Sequence, residues 1–468
     1  MYSRYINVLF YTTLKLCIMR INSFFLSLLL LMASSCVSSD LVEVKDTVYQ
    51  VPEDVVVSES SLSFDEAISN LNFIYKRVND GTKPTRRINK VDLLTTQDIQ
   101  SSAITRSNEY SDGDVMPLAY VVNFENETGY AVLAANNQLP PVIMIGDNGN
   151  FSTDEFINYI HNSNNISTDG LSTAQELQYA MISNSLTFTP PSGGNITPGS
   201  GTASDTTMIL KCLPLVSTKW GQSMPYNMYA PYDSSNMRSL AGCVPVAYAQ
   251  TLAALCYHHN FRPQIDICEN YPVDWINLNK VISADTIKYY PSQDTPGSRN
   301  VARLIRAIGS YLNAEYSHSA TGAWPRPFTQ RMVDMGCRYA NYTGKDTVTL
   351  DSLFNMIVSK NYPVTASAYR MIDENNLSGH AFVLDGWLRL EYRYIIYNLL
   401  TMEQDYNRSQ FDLVHVNFGW NGSCDGYYVP GAFDLSTGEF DEYTEENDAV
   451  GTKPYIYKYV VEYLTYDL

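Results

Sequence analysis

Residues 241–259 read "AGCVPVAYAQTLAALCYHH" and place a cysteine between a glycine and a long apolar run. Proline is tolerated only in the first turn of a helix, where its missing N–H has no intrahelical acceptor to lose. Pro245 therefore puts a helix start at or just before Cys243, and Gly242 permits a sharp chain entry. The free N–H groups of a first turn are partially positive and stabilise a thiolate placed there. The position suits a nucleophile, and it equally suits a small buried hydrophobe. The partners of Cys243 have to decide.

A cysteine nucleophile needs a base and a group that orients the base. The chain has six histidines. His161 lies in the first part of the chain. His258 and His259 end the cysteine's own helix, about 15 residues and ~22 Å from Cys243 at 1.5 Å per residue, out of reach. His318 sits in the polar segment "YSHSATGAW". His380 in "SGHAFVLDGW" and His415 in "LVHVNFGW" both adjoin strand-like runs. Asn417 could orient His380, whereas His415, two places away on the same strand, faces the same side and is poorly placed to accept it. Residue chemistry thus gives the order Cys…His…Asn and leaves His380 and His415 open as the base.

The rest of the chain bounds the class. With 468 residues, 45% apolar and 17% charged, it is long enough for two or three domains. A formal charge of −18 excludes a nucleic-acid binder, which needs a basic stripe. From Met19, a cleaner start than Met1, "MRINSFFLSLLLLMASSC" has the charged, apolar and small-residue layout of an export signal. Its end resembles a bacterial lipobox, with Ala33 where leucine is commoner. That resemblance implies cleavage before Cys36, lipidation of its sulfur and attachment to a membrane, at the outer membrane or cell surface. The apolar run is far shorter than the ~20 residues of a transmembrane helix. The eight cysteines show no framework spacing and no Cys/His cluster, so neither a disulfide scaffold nor a metal site is expected.

Residues 37–188 carry helical patterns at 63–78 ("SFDEAISNLNFIYKRV") and in "TAQELQYAMISNSL". Between them "LAYVVNFENETGYAVLAA" reads as a hairpin, and "LPPVIMIGDNGNF" continues the sheet. Residues 189–207, "TPPSGGNITPGSGTASDTT", are rich in Pro, Gly, Ser and Thr and read as a linker and processing region. An aromatic-rich domain fills 208–468.

"WGQSMPYN", "GCVPVAYAQTLA", "SGHAFVLDGW" and "HVNFGWNGSCDGYY", in that order, resemble the streptopain-type papain-like cysteine proteases, peptidase family C10. "YVVNFENETGYAVLAANNQLPPV" resembles the propeptide that accompanies them. The resemblance implies an α+β protein, with a two-lobed papain-like catalytic domain behind a smaller α+β propeptide domain. It implies Cys243 as nucleophile, His380 as general base and Asn417 as imidazole orienter. Gln222 would serve the oxyanion hole with the Cys243 N–H, since a side-chain amide donor suits a developing O⁻. Trp420 matches the second tryptophan of the family's "HVNWGWGG", and Phe418 replaces the first. Ser319, Thr321 and Gly322 fall where the family has a substrate-wall loop, and Gly379 precedes the histidine. Substrates would be proteins or peptides, with no cofactor, and the propeptide would act as an intramolecular inhibitor until cleavage near 189–207. A non-catalytic lipoprotein of the same fold, binding protein or glycan, is the alternative reading.

Overall fold

The computed structural model describes residues 42–43, 49, 52, 55–57, 61–78, 85–99, 115–136, 139–162, 173–186, 205–265, 272–280, 295–344, 347–371, 377–397, 404–430 and 460–468. The expected export signal (1–36) and most of the expected linker (189–204) lie outside these residues. Val42–Leu468 forms one compact unit.

The first described helix, Phe64–Val78, begins where capping chemistry places it. Ser63 N donates to Glu66 Oε2 (2.9 Å), and Glu66 N donates back to Ser63 Oγ (3.3 Å), a reciprocal capping box. The expected hairpin forms from Pro117–Phe124 and Tyr130–Ala134 around a 3-10 turn at Glu125–Glu127. The helix Thr173–Leu186 spans the "TAQELQYAMISNSL" segment.

The described strands are β1 (Val42–Glu43), β2 (Arg86–Thr95), β3 (Pro117–Phe124), β4 (Tyr130–Ala134), β5 (Val142–Gly146), β6 (Asp205–Cys212), β7 (Tyr339–Gly344), β8 (Val364–Met371), β9 (Leu377–Tyr397), β10 (Gln404–Asn417), β11 (Gly426–Tyr428) and β12 (Val460–Asp467). They join in one sheet, ordered β1-β2-β3-β4-β5-β11-β10-β9-β8-β12-β7, with β6 pairing the far part of β9. The joint between the sequence's first half and its aromatic-rich second half is β5–β11, antiparallel, with Tyr427 opposite Ile145. Helices and sheet together make the α+β protein that the sequence implied.

The helix Cys243–His259 starts at the cysteine. Every residue from Val244 to Cys256 is buried, so this helix is apolar all round because it is enclosed all round. It packs on β8, β9 and the helix Pro296–Tyr311. On β10, the pairing Asn417↔Val383 sets Asn417 near the start of β9, where His380 lies. The ladder slips between His415 (opposite Gly386) and Val416 (opposite Leu384), so β9 advances two residues for one of β10. His415 and Asn417, two places apart on β10, have different partners: Asp385 and Asp147 for the first, Gln250, Gly419 and Thr218 for the second.

Candidate active site

Gly242, at φ +93°, turns the chain into the helix, and a Cβ there would lie 3.0 Å from Thr321 Cγ2. The half-buried Cys243 follows as the first helical residue. Burial pushes its thiol pKa up, and hydrogen bonds from the backbone N–H groups of Ala381, Val244 and Cys243 itself partly offset this. The Ala381 contact brings the residue next to His380 onto the sulfur, so the helix start and the start of β9 meet at Cys243. Gln222 is buried, and its carbonyl accepts the Ala241 N–H at 2.8 Å. That bond fastens the "WGQ" segment two residues ahead of the cysteine.

His380 is buried, and its Nε2 lies 2.6 Å from the carbonyl oxygen of Phe418. A carbonyl can only accept, so the proton is on Nε2, which leaves Nδ1 of the neutral ring as an acceptor. Burial pulls the imidazole pKa down to about 4, against the pull of the Phe418 bond. With the thiol raised and the imidazole lowered, both partners are neutral at pH 7 in this arrangement.

Asn417, the expected orienter, holds its amide elsewhere. Its Oδ1 accepts from Gln250 Nε2 (2.9 Å) and Gly419 N (3.0 Å), and its Nδ2 donates to Thr218 O (2.7 Å). Gly419 N and Phe418 C=O belong to one peptide plane. Asn417 thus grips the plane whose carbonyl meets His380, and its hold on the ring is indirect. Phe418 N in turn donates to Asp425 Oδ1 at 2.7 Å. Asp425 is raised by burial to about 7, even with that N–H and the nearby His415 charge pulling it down.

The Phe418 ring stacks on His380 (centroids 6.0 Å, planes 18° apart) and is fully buried. Phenylalanine, at the position of the first tryptophan in the motif of the family resemblance, packs here against the histidine. Trp420 lies 6.2 Å from the His380 ring, tilted by 33°, and its buried Nε1 has no hydrogen-bond partner among the described residues.

Thr321 donates from Oγ1 to Leu240 O (2.8 Å) and touches the Gly242 position, so it buttresses the approach to Cys243. Ser319 is exposed and bonded through Oγ to Ser317 Oγ. Gly322 is exposed, pairs with Glu315 and has open space above its Cα. A Cβ at Gly379 would meet Tyr369 Cβ at 2.9 Å, so strand packing on β8 requires that glycine.

The other histidines are occupied. His415 is clamped between Asp385 (Nδ1 to Oδ1, 2.6 Å) and Asp147 (Nε2 to Oδ2, 3.3 Å). Burial alone would lower its pKa, but the two carboxylates outweigh burial and raise it to about 10. His415 is thus a buried cation, which leaves His380 as the histidine at the cysteine. His318 pairs with Asp233. His258, His259 and His161 each bond a backbone carbonyl, of Leu215, Asn361 and Asp98 respectively. Gln250, Asp425 and the Phe418 carbonyl were not singled out by sequence. A lone glutamine inside an apolar helical run was the available signal for Gln250.

A cysteine at a helix start, a strand-borne histidine beside it and a buried glutamine fastened to the same turn form the layout of a thiol peptidase. Residues 220–428 match the model of the Peptidase C10 family. No curated protein matches the chain. Among solved structures, a prointerpain A fragment of Prevotella intermedia bearing a cysteine-to-alanine mutation is similar at 19% identity and a TM-score of 0.45. That match covers 74% of this chain and 95% of the other. The active wild-type interpain A cysteine protease of the same organism is similar at 22% identity and a TM-score of 0.35, covering 54% and 94%.

Proposed function

We propose that this chain is the exported precursor of a cysteine endopeptidase, anchored by a lipid at Cys36 and kept latent by residues 37–188. The meeting of Cys243, the Ala381 N–H and the Gln222 segment at one helix start carries this reading. In the working enzyme Cys243 and His380 exchange a proton to form a thiolate–imidazolium pair. The thiolate attacks a peptide carbonyl, and the oxyanion is held by the Cys243 N–H and Gln222. His380 protonates the leaving amine, then takes a proton from water, which hydrolyses the thioester and returns the thiol. The neutral state of both groups fits a precursor in which the pair is not yet formed. Cleavage within 189–207 would release the first part, freeing β11 from β5.

The test is expression of the precursor beside Cys243→Ala in an exporting host. The wild-type chain is expected to convert to a shorter casein-cleaving form, and the alanine chain to stay full length and silent. Equal processing of both chains would overturn the nucleophile assignment. Labelling by a radioactive fatty acid, lost in Cys36→Ser, tests the anchor.

A further inference from the structure

Gln250 stands seven residues after Cys243, two turns along the same helix. It is wholly buried, and each end of its amide is used. Oε1 accepts from Trp220 N (3.1 Å) and Thr218 Oγ1 (3.0 Å), while Nε2 donates to Asn417 Oδ1 (2.9 Å). The orientation is forced, because Trp220 N–H can only donate and the Thr218 carbonyl that takes Asn417 Nδ2 can only accept. A buried amide left unpaired is costly, so the three segments it joins are held in one relative placement.

Each of those segments carries one part of the chemistry. The helix carries Cys243. Trp220 lies two residues before Gln222. Asn417 grips Gly419 N, the other end of the peptide plane whose carbonyl holds His380 Nε2. Resting on the peptidase reading, we propose that Gln250 is a positioning residue that locks nucleophile, base and oxyanion donor into mutual register without touching substrate.

The experiment uses the full-length chain, allowed to mature, with casein as probe. Gln250→Met keeps the volume and loses both bonding roles. Gln250→Glu keeps the acceptor for Trp220 and sets a carboxylate oxygen against Asn417 Oδ1. Thr251→Val, which breaks the neighbouring buried Thr251–Thr365 bond (2.8 Å), is the control for lost stability alone. Gln250→Met is expected to lower kcat roughly 10²-fold with little change in KM, since misplacement on the order of 1 Å has that effect. Its pH–rate bell should narrow on both limbs, because a poorly oriented imidazole weakens the ion pair. In Gln250→Glu, activity relative to wild type should rise as pH falls, when the protonated carboxyl can again donate to Asn417. Thr251→Val should lower the melting temperature and leave kcat and the bell unchanged. A folded Gln250→Met with wild-type kcat and bell overturns the proposal, as does a loss that only follows the folded fraction. If Gln250→Met does not fold, an acid rescue absent from Gln250→Glu overturns it. A wild-type chain that never cleaves casein sinks the peptidase reading, whereas an active wild type with an unaffected Gln250→Met sinks this inference alone.

Discussion

At the scale of single residues, Gly242 and Phe418 set how tightly the site is held. Gly242 combines φ +93° with a Cβ position 3.0 Å from the Thr321 methyl. Gly242→Ala should cost about 1–3 kcal/mol in strain and push the Thr321 loop off the cysteine turn. Urea unfolding and casein hydrolysis check it, and a variant as stable and active as wild type contradicts the strain argument. Phe418 touches His380, Phe382 and Tyr428 with its ring while its main chain holds the histidine. Phe418→Ala should cost about 3–5 kcal/mol. Phe418→Trp, which restores the family residue, should cost about 1–3 kcal/mol by overpacking a position with no exposure. A tryptophan variant more stable than wild type would show spare room that the packing does not suggest. Part of the candidate site was legible as residue types in order: Gly242 and Pro245 put Cys243 at a helix start without deciding between nucleophile and core filler, and Gln222 and His380 came from the motifs of the family resemblance. The indirect role of Asn417 was not, because the group on His380 is a main-chain carbonyl, and a carbonyl leaves no signature in the choice of side chain.

At the scale of elements, the seam between β5 and β11 is reinforced by charge. His415 on β10 bridges Asp385 on β9 and Asp147, the residue after β5. Asp147 N also donates to Asp425 O at 2.8 Å. Losing the cation leaves the buried Asp385 carboxylate unpaired beside the partly exposed Asp147, so His415→Asn should destabilise the chain by up to about 3 kcal/mol at pH 7. The pH dependence has a definite sign. The folded pKa, about 10, lies above the ordinary 6.5, so the contribution is complete below pH 6.5 and is lost as pH rises through about 10. The gap between wild type and variant in urea midpoint should therefore shrink from pH 7 to pH 10, and a constant gap would refute the clamp. Helix starts and the first hairpin were legible because capping boxes and turns are local. The β5–β11 seam was not, because a strand as short as Gly426–Tyr428 has no periodicity to read, and its partner is far away in sequence.

At the scale of the whole molecule, two buried groups give acid stability opposing slopes. His380 is lowered to about 4, so the unfolded chain binds its proton first, and this stability is lost as pH falls from 6.5 towards 4. Asp425 is raised to about 7 from 3.8, so the folded chain holds a proton the unfolded one has released, and stability falls as pH rises across that range. Over pH 4–6.5 the two nearly cancel. Asp425→Asn keeps an acceptor for Phe418 N and removes only the carboxyl's titration. In a Cys243→Ala background, which cannot process itself, the urea midpoint of Asp425→Asn should climb with pH more steeply than that of the parent. The added slope approaches about 1.4 kcal/mol per pH unit, one proton's worth. All other titrating groups are common to both chains and drop out of the difference. Parallel curves between pH 4.5 and 6.5 would mean that Asp425 ionises normally, and the cluster that fixes Phe418 would then have to be held by a charged carboxylate throughout.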